Sequence, residues 1–178
     1  LKRLQTDRID LYQLHWPNRG SYHFRQSWTY DPSGQDPAAV EANMVEVLEA
    51  LDELVKAGKI GHVGLSNETC WGTQKFLQIA AARGLPRVAS IQNEYSLMHR
   101  LFDLDLAELS VNEDVGLLAY SPLAAGLLTG KYSGGASPEG ARLAVNDNAL
   151  GGRYAPENAV IADAYGAIAK KHGLDVCQ

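Results

Sequence analysis

Cysteine is scarce in this sequence, and its scarcity excludes two kinds of structure. Only Cys70 and Cys177 occur among the 178 residues. Their separation matches no metal-binding motif, and a single distant pair is no framework for a disulfide-stapled domain. We therefore predict no metal site and a reducing, cytoplasmic location.

Long apolar runs and basic clusters are also missing. No apolar run approaches the roughly 18 residues that a membrane span needs, so we predict no membrane partner. The net charge is −5, from 16 basic and 21 acidic residues, and no basic cluster stands out. This balance argues against nucleic acid as a partner. The hydrophobic fraction of 46% is that of an ordinary folded domain.

Strand-like and helix-like segments alternate along the chain. Short apolar runs predict strands over residues 10–16, 60–66, 87–93 and 115–120, and helical spacing predicts helices over 38–57, about 69–84, 103–111 and 156–172. Thr69 or Asn67 is the expected cap of the second helix. Strands that alternate with helices at this period pair in parallel through right-handed crossovers.

Two architectures fit that alternation: an open doubly wound sheet and a (β/α)8 barrel. An open sheet usually carries a glycine-rich phosphate turn after its first strand, and the sequence has no G-x-G-x-x-G. Polar residues instead stand at the carboxyl end of each strand, namely His15, Ser66, Asn67, Gln92, Asn93, Tyr120 and Ser121. Because active sites of barrels lie at the carboxyl ends of the strands, we predict an α/β fold of the (β/α)8 type.

The predicted barrel is incomplete. The chain begins at Leu1, its first methionine is Met44, and it stops soon after the last predicted helix. Four βα units are about half of the roughly 250 residues that a barrel takes. We expect residues 1–178 to be a partial barrel domain whose first strands and last strand lie outside this sequence.

Two connections are too long to be simple links. Residues 17–37 are rich in aromatic side chains, including Tyr22, Phe24 and Trp28, and would suit an apolar substrate wall. Residues 126–156 are rich in glycine with scattered cations and would suit a flap over phosphates. Mobile surface loops are the alternative for both.

Four motifs, in order along nearly the whole chain, carry a resemblance to a known family. They are LQTDRIDLYQLHWP at residues 4–17, KIGHVGLSN at 59–67, IQNEYSL at 91–97 and LAYSPLAAGLLTGKY at 118–132. Together they resemble strands four to seven of the aldo-keto reductases. The resemblance implies a (β/α)8 barrel that reduces aldehydes and ketones, its small-molecule carbonyl substrates, with NADPH or less often NADH.

The resemblance implies one catalytic residue in this chain. His15 matches the histidine beside the substrate carbonyl, where negative charge develops and a hydrogen-bond donor is needed. The family's catalytic aspartate, tyrosine and lysine come from earlier strands, so this chain alone is expected to be inactive. Trp16 and the aromatic residues 22–30 are candidates for the substrate wall.

The resemblance also implies a cofactor-binding set. Ser66, Asn67 and Gln92 match the residues that hold the nicotinamide carboxamide, and Tyr120 matches the aromatic ring stacked on the nicotinamide. The residues that match the loop around the cofactor's phosphates and ribose are Ser121, Leu123, Gly126, Lys131 and, in a loosely aligned segment, Arg153. The site that separates NADPH from NADH would lie mostly after the eighth strand.

Two alternatives to a reductase segment stay open. A non-catalytic cofactor-binding subunit on the same fold, like the β subunits of potassium channels, would lack the tyrosine or lysine upstream, and His15 speaks mildly against it. A truncated, inactive product would expose sheet edges and aggregate. The substrate and the oligomeric state stay undetermined at this stage.

Overall fold

The chain forms one parallel four-stranded sheet, described in a computed structural model that covers residues 1–145 and 155–178. The strands are β1 (Ile9–Leu14), β2 (Ile60–Ser66), β3 (Val88–Glu94) and β4 (Gly116–Tyr120). They lie in the order β1-β2-β3-β4, and each neighbouring pair is parallel. Sequential order in a parallel sheet is what repeated βα units produce.

Helices connect the strands and follow the last one. The α-helices are α1 (Pro37–Lys56), α2 (Cys70–Arg83), α3 (Leu106–Asn112), α4 (Arg142–Val145) and α5 (Pro156–Lys171). The Asp36 side chain accepts hydrogen bonds from the first turn of α1, next to the proline that begins the helix. Thr69 does the same for α2 by accepting from the Gly72 N–H. The cap of α2 is therefore Thr69 and not Asn67.

The register of the sheet aligns four small or polar residues. Gln13 pairs with Gly64, Gly64 with Ser90, and Ser90 with Gly116. A Cβ atom at Gly64 would lie 2.8 Å from Ser90 Oγ and 3.0 Å from Gln13 Cγ. A glycine is needed there because neighbouring side chains already fill the space that a side chain would take.

One face of the sheet packs against α1 and α2. Leu51 of α1 packs on Ile60 and Val63 of β2, and Leu65 and Ile91 are almost fully buried. The opposite face is more open, because His62 is exposed and Leu118 is 42% exposed. This difference between the two faces is expected for strands that are covered by helices on one side.

The chain divides into two compact units. The first consists of residues 1–94 and 101–120 and contains the sheet with α1 to α3; the second consists of residues 95–100 and 121–178. The second unit has its own apolar cluster of Ala124, Leu127, Leu128 and Tyr132 with Ala162 of α5.

The predicted fold class is confirmed, and two details differ. The structure is α/β with a parallel sheet, as in part of a (β/α)8 barrel. The helix predicted over 103–111 is instead a 3-10 turn at Leu101–Leu104 followed by α3, because Asp105 has a non-helical conformation. β1 ends at Leu14, so His15 and Trp16 follow the strand. Among the helices of the described residues, none combines the length and the apolar character that crossing a membrane requires.

Candidate active site

The turn after β2 is the centre of the candidate site. Asn67 has a φ of 56°, in the left-handed region that asparagine tolerates better than most residues. Its backbone N–H donates to the carbonyl oxygen of Gln92 at 3.0 Å, and Ser66 Oγ donates to the same oxygen at 2.8 Å. Both residues are almost fully buried. The turn is therefore fixed against the end of β3.

The buried side-chain amide of Asn67 connects this turn to the two outer strands. Its Nδ2 donates to the carbonyl oxygen of His15, just beyond β1, at 3.0 Å and to Ser66 Oγ at 3.1 Å. The Tyr120 hydroxyl, at the end of β4, donates to Asn67 Oδ1 at 2.9 Å. Asn67 thus links the carboxyl ends of all four strands, because its side-chain amide binds β1 and β4 and its backbone N–H binds Gln92 of β3.

An aromatic cluster lies beside this network. Phe24 stacks on Trp16 with ring centroids 5.3 Å apart and an interplanar angle of 18°. The same phenyl ring lies 6.5 Å from the His15 ring and 6.1 Å from the Tyr120 ring, measured between centroids. These separations are those of interacting aromatic pairs. Phe24 thus connects the predicted catalytic histidine, the predicted substrate wall and the tyrosine predicted to stack on the nicotinamide.

The first unit therefore brings together six of the sequence-predicted residues: His15, Trp16, Ser66, Asn67, Gln92 and Tyr120. Their groups supply an imidazole, amide and hydroxyl donors and acceptors, and flat apolar rings. Among the described residues, Asn67 Oδ1 accepts one hydrogen bond, and an amide oxygen has two lone pairs. The set can bind a flat ligand that carries both hydrogen-bond donors and acceptors.

The second unit contains the other predicted cofactor residues in the segment after β4. Ser121 has a φ of 53° and Gly126 a φ of 103°. Both values are positive, in the range that glycine adopts most readily. A Cβ at Gly126 would lie 3.1 Å from Lys131 Cε, so the lysine side chain crosses directly over the glycine. Lys131 Nζ also lies 5.1 Å from the centre of the Tyr132 ring, a cation–π contact. Leu123 packs against the apolar cluster of this unit.

Arg153, the remaining predicted cofactor residue, lies outside the described residues.

From the sequence, Gly126 is expected to be small because its backbone would approach a phosphate of the cofactor. The structure gives the glycine a second reason, namely room for the Lys131 side chain.

A buried ion pair that the sequence does not predict involves Glu68, the residue after Asn67. Arg19 and Glu68 form two hydrogen bonds, Nη1 to Oε2 at 3.0 Å and Nη2 to Oε1 at 2.5 Å. Their side chains are 7% and 3% exposed. No local spacing predicts a pair that lies 49 residues apart in the chain. The only signal was the position of Glu68 directly after the Ser66–Asn67 motif.

Burial also affects two titratable groups, the Tyr22 phenol and the Cys70 thiol. Burial, followed by the nearby charge of Asp105, raises the pKa of Tyr22 to about 12. Partial burial raises the pKa of the Cys70 thiol, with Asp105 as the next contribution. Both groups are therefore neutral near pH 7. Cys70 is a poor nucleophile in that state.

Comparisons with known proteins identify the family. The sequence profile of the Aldo/keto reductase family matches residues 1–178. The chain is 46% identical to Protein tas of Escherichia coli (strain K12) over all of this chain and 50% of that protein. It is 42% identical to an aldo-keto reductase of Babesia bovis over 74% of this chain and 48% of that protein. It is 31% identical to aflatoxin B1 aldehyde reductase member 2 of Rattus norvegicus over 79% of this chain and 34% of that protein.

The chain spans about half the length, or less, of these curated relatives. The match nevertheless covers every residue of the chain, including the four sequence motifs. This chain belongs to the aldo/keto reductase family.

Proposed function

We propose that this chain forms the nicotinamide-binding part of a reductase that converts aldehydes and ketones to alcohols. Residues 1–178 would be one part of a (β/α)8 barrel domain, completed by flanking βα units. The observation that carries the proposal is the network around Asn67, which links His15, Ser66, Gln92 and Tyr120 at the carboxyl ends of four parallel strands. Active sites of barrels lie at that end of the strands.

The residues around Asn67 fit a carboxamide group. A carboxamide offers one acceptor and two donors, so it needs both kinds of partner in fixed positions. The second lone pair of Asn67 Oδ1 and the Ser66 hydroxyl supply acceptors, and the Gln92 side chain can supply a donor. Holding the amide fixes which face of the ring points toward the substrate, and such positioning makes transfer efficient.

The cofactor in this proposal is NADPH, with NADH as the alternative. When bound, the nicotinamide supplies a hydride to the substrate carbonyl carbon. The Tyr120 ring supports the flat face of the nicotinamide. Ser121, Leu123, Gly126 and Lys131 bind the pyrophosphate and ribose, where the Lys131 cation offsets phosphate charge. Arg153 adds a second cation in this proposal.

His15 orients the substrate. Its imidazole donates a hydrogen bond to the carbonyl oxygen, on which negative charge develops as the hydride arrives. Trp16 and Phe24 form an apolar wall that keeps water away from that oxygen, and exclusion of water strengthens the hydrogen bond. The proton donor and its partners, a tyrosine, a lysine and an aspartate in the family, would come from the flanking βα units.

The proposed location is the cytoplasm, because Cys70 and Cys177 are both free thiols. The proposed partners are a small carbonyl compound and the nicotinamide cofactor. Two of the relatives support this class of reaction by their names, one as an aldo-keto reductase and one as an aldehyde reductase.

The test is NADPH oxidation by the complete protein, meaning this chain with its flanking sequence. We expect loss of NADPH absorbance with aromatic aldehydes, and loss of most of that activity in His15→Ala. Binding of NADPH without turnover across a broad panel of carbonyl compounds would contradict the proposal. That outcome would favour a non-catalytic cofactor-binding subunit.

A further inference from the structure

The Arg19–Glu68 pair is enclosed far more tightly than the Arg83–Glu49 pair. Its side chains are 7% and 3% exposed, whereas the Arg83–Glu49 pair is more than half exposed on both sides. Removing two charges from water is costly unless hydrogen bonds satisfy both groups. Here the guanidinium also donates to Thr69 Oγ1 at 3.2 Å, and Glu68 Oε1 accepts from the Thr69 N–H at 2.6 Å.

Glu68 belongs to the same turn as Asn67. Its carboxylate is held by Arg19, and its backbone carbonyl accepts a hydrogen bond from Asn93 Nδ2 at 3.1 Å. The turn that carries Asn67 is thus fixed from β3 and from residues 17–30, the aromatic loop. Glu68 connects that loop to Ser66, Asn67 and Gln92, the proposed cofactor platform.

Arg19 belongs to the aromatic loop, residues 17–30. Its guanidinium lies over the Trp71 ring at 5.0 Å, and its carbonyl oxygen accepts a hydrogen bond from Gln35 Nε2 at 3.3 Å. His23 Nε2 lies 3.3 Å from the Glu68 carbonyl oxygen. Two residues of the loop therefore contact Glu68.

Phe24 directly follows the second of these contacts. It has a φ of 51°, a left-handed conformation that a phenylalanine adopts only when its surroundings impose it. The residue is 51% exposed, so burial alone does not hold it in place. The contacts of Arg19 and His23 with Glu68 fix the backbone on the N-terminal side of Phe24.

We infer that Arg19 and Glu68 are positioning residues, which hold Phe24 against Trp16 and beside His15 and thereby favour aromatic over aliphatic carbonyl substrates. The inference rests on the proposed reductase function. The geometry behind it is a buried, doubly hydrogen-bonded pair between the turn of Asn67 and the loop of Phe24. Asn67 keeps its own hydrogen bonds to β1, β3 and β4, so loss of the pair releases the loop and leaves the cofactor platform in place.

The experiment compares variants of the complete protein. Arg19→Met removes one partner, and Arg19→Met with Glu68→Gln removes both charges and keeps an amide oxygen for the Thr69 N–H. Arg83→Met, in the exposed pair with Glu49, is the matched control. For each protein, KM and kcat are measured with benzaldehyde and with acetaldehyde, and Kd is measured with NADPH.

We expect KM for benzaldehyde to rise about tenfold in both Arg19 variants, because one aromatic contact with the substrate is lost. KM for acetaldehyde and Kd for NADPH are expected to stay within about twofold of the wild-type values. Arg83→Met is expected to match the wild type. Arg19→Lys keeps the charge without the planar fork and is expected to restore part of the benzaldehyde KM.

A double-mutant cycle with Phe24→Ala separates positioning from general damage. If Arg19 acts through Phe24, Arg19→Met adds little to the benzaldehyde KM once Phe24 is alanine. The inference would be overturned if the fold-changes of Arg19→Met and Phe24→Ala in the benzaldehyde KM multiply in the double variant. An equal rise in KM for both aldehydes would overturn it too. A wild-type protein without turnover contradicts the proposed function and not the positioning role.

A structural readout keeps the positioning role testable in that case. With fluorotryptophan incorporated, the ¹⁹F signal of Trp16 is expected to move in Arg19→Met and in Phe24→Ala, and to stay in place in Arg83→Met. An unchanged Trp16 signal in Arg19→Met would overturn the inference with or without turnover.

Discussion

Replacing Gly72 with alanine tests how tightly the Arg19–Glu68 pair is enclosed. Gly72 lies in the first turn of α2, where alanine is the better helix former. A Cβ built on its backbone would lie 2.2 Å from Arg19 Nη2 and 2.2 Å from Glu68 Oε1. Carbon contacts normally lie at 3.5–4.0 Å, so the pair would have to retreat by about 1 Å or more.

The free energy of unfolding then depends on whether the pair has room to retreat. Ends of long side chains usually give way easily, but these two are buried and bound to each other. Overpacking of a filled site costs about 1–3 kcal/mol, while alanine gains about 0.5–1 kcal/mol over glycine within a helix. We expect Gly72→Ala to lower the free energy of unfolding by about 1–2 kcal/mol.

The assay is equilibrium urea unfolding followed by circular dichroism, with two control variants. Gly34→Ala in the same unit adds a Cβ that meets nothing within 4 Å, and Gly166→Ala in α5 adds one that meets only Val176 Cγ2 at 3.7 Å. Both controls are expected to be as stable as the wild type or slightly more stable. If the Gly72→Ala protein is as stable as the two controls, the Arg19–Glu68 pair has room to move, and the tight enclosure of the pair is wrong.

Three further predictions concern the site and its surroundings. Tyr120→Phe removes the hydrogen bond to Asn67 Oδ1, so the free energy of unfolding should fall by about 1 kcal/mol, and an unchanged urea midpoint would contradict the network. Gly126→Ala combines a strained φ with a Cβ against Lys131, so Kd for NADPH measured by fluorescence titration should rise; an unchanged Kd would mean that the loop does not bind cofactor. Because the pKa of Tyr22 is raised to about 12 in the folded protein, above the 10.0 of an unperturbed tyrosine, the unfolded chain loses this proton first. Stability should therefore fall between pH 10 and pH 12, and it should fall less in Tyr22→Phe than in the wild type.

The fold could be predicted from the sequence because its signals are local. The helical spacing of Val40, Met44, Leu48 and Leu51 predicted α1, and Gly58, expected to end it, has the left-handed φ of 68° that such an ending needs. Apolar runs predicted all four strands to within two residues at every end. The helix predicted from residue 103 failed because helical spacing does not reveal a break in the backbone at Asp105.

The site could be predicted only in part. His15, Asn67 and Tyr120 follow or end strands, and parallel strands bring those ends together, so sequence position was enough to place them near each other. The position of Phe24 depends on how a long loop folds back. The Arg19–Glu68 pair forms between two segments that are distant in the sequence, and no periodicity in the sequence predicts such a contact.

The most direct measurement follows a deuterium atom from C4 of labelled NADPH during reduction of benzaldehyde by the complete protein. Because Ser66, Asn67 and Gln92 are proposed to fix one face of the nicotinamide toward the substrate, we expect deuterium in the product alcohol from only one of the two C4 positions. Equal transfer from both C4 positions would contradict the proposed orientation of the nicotinamide. So would an alcohol that contains no deuterium from either position.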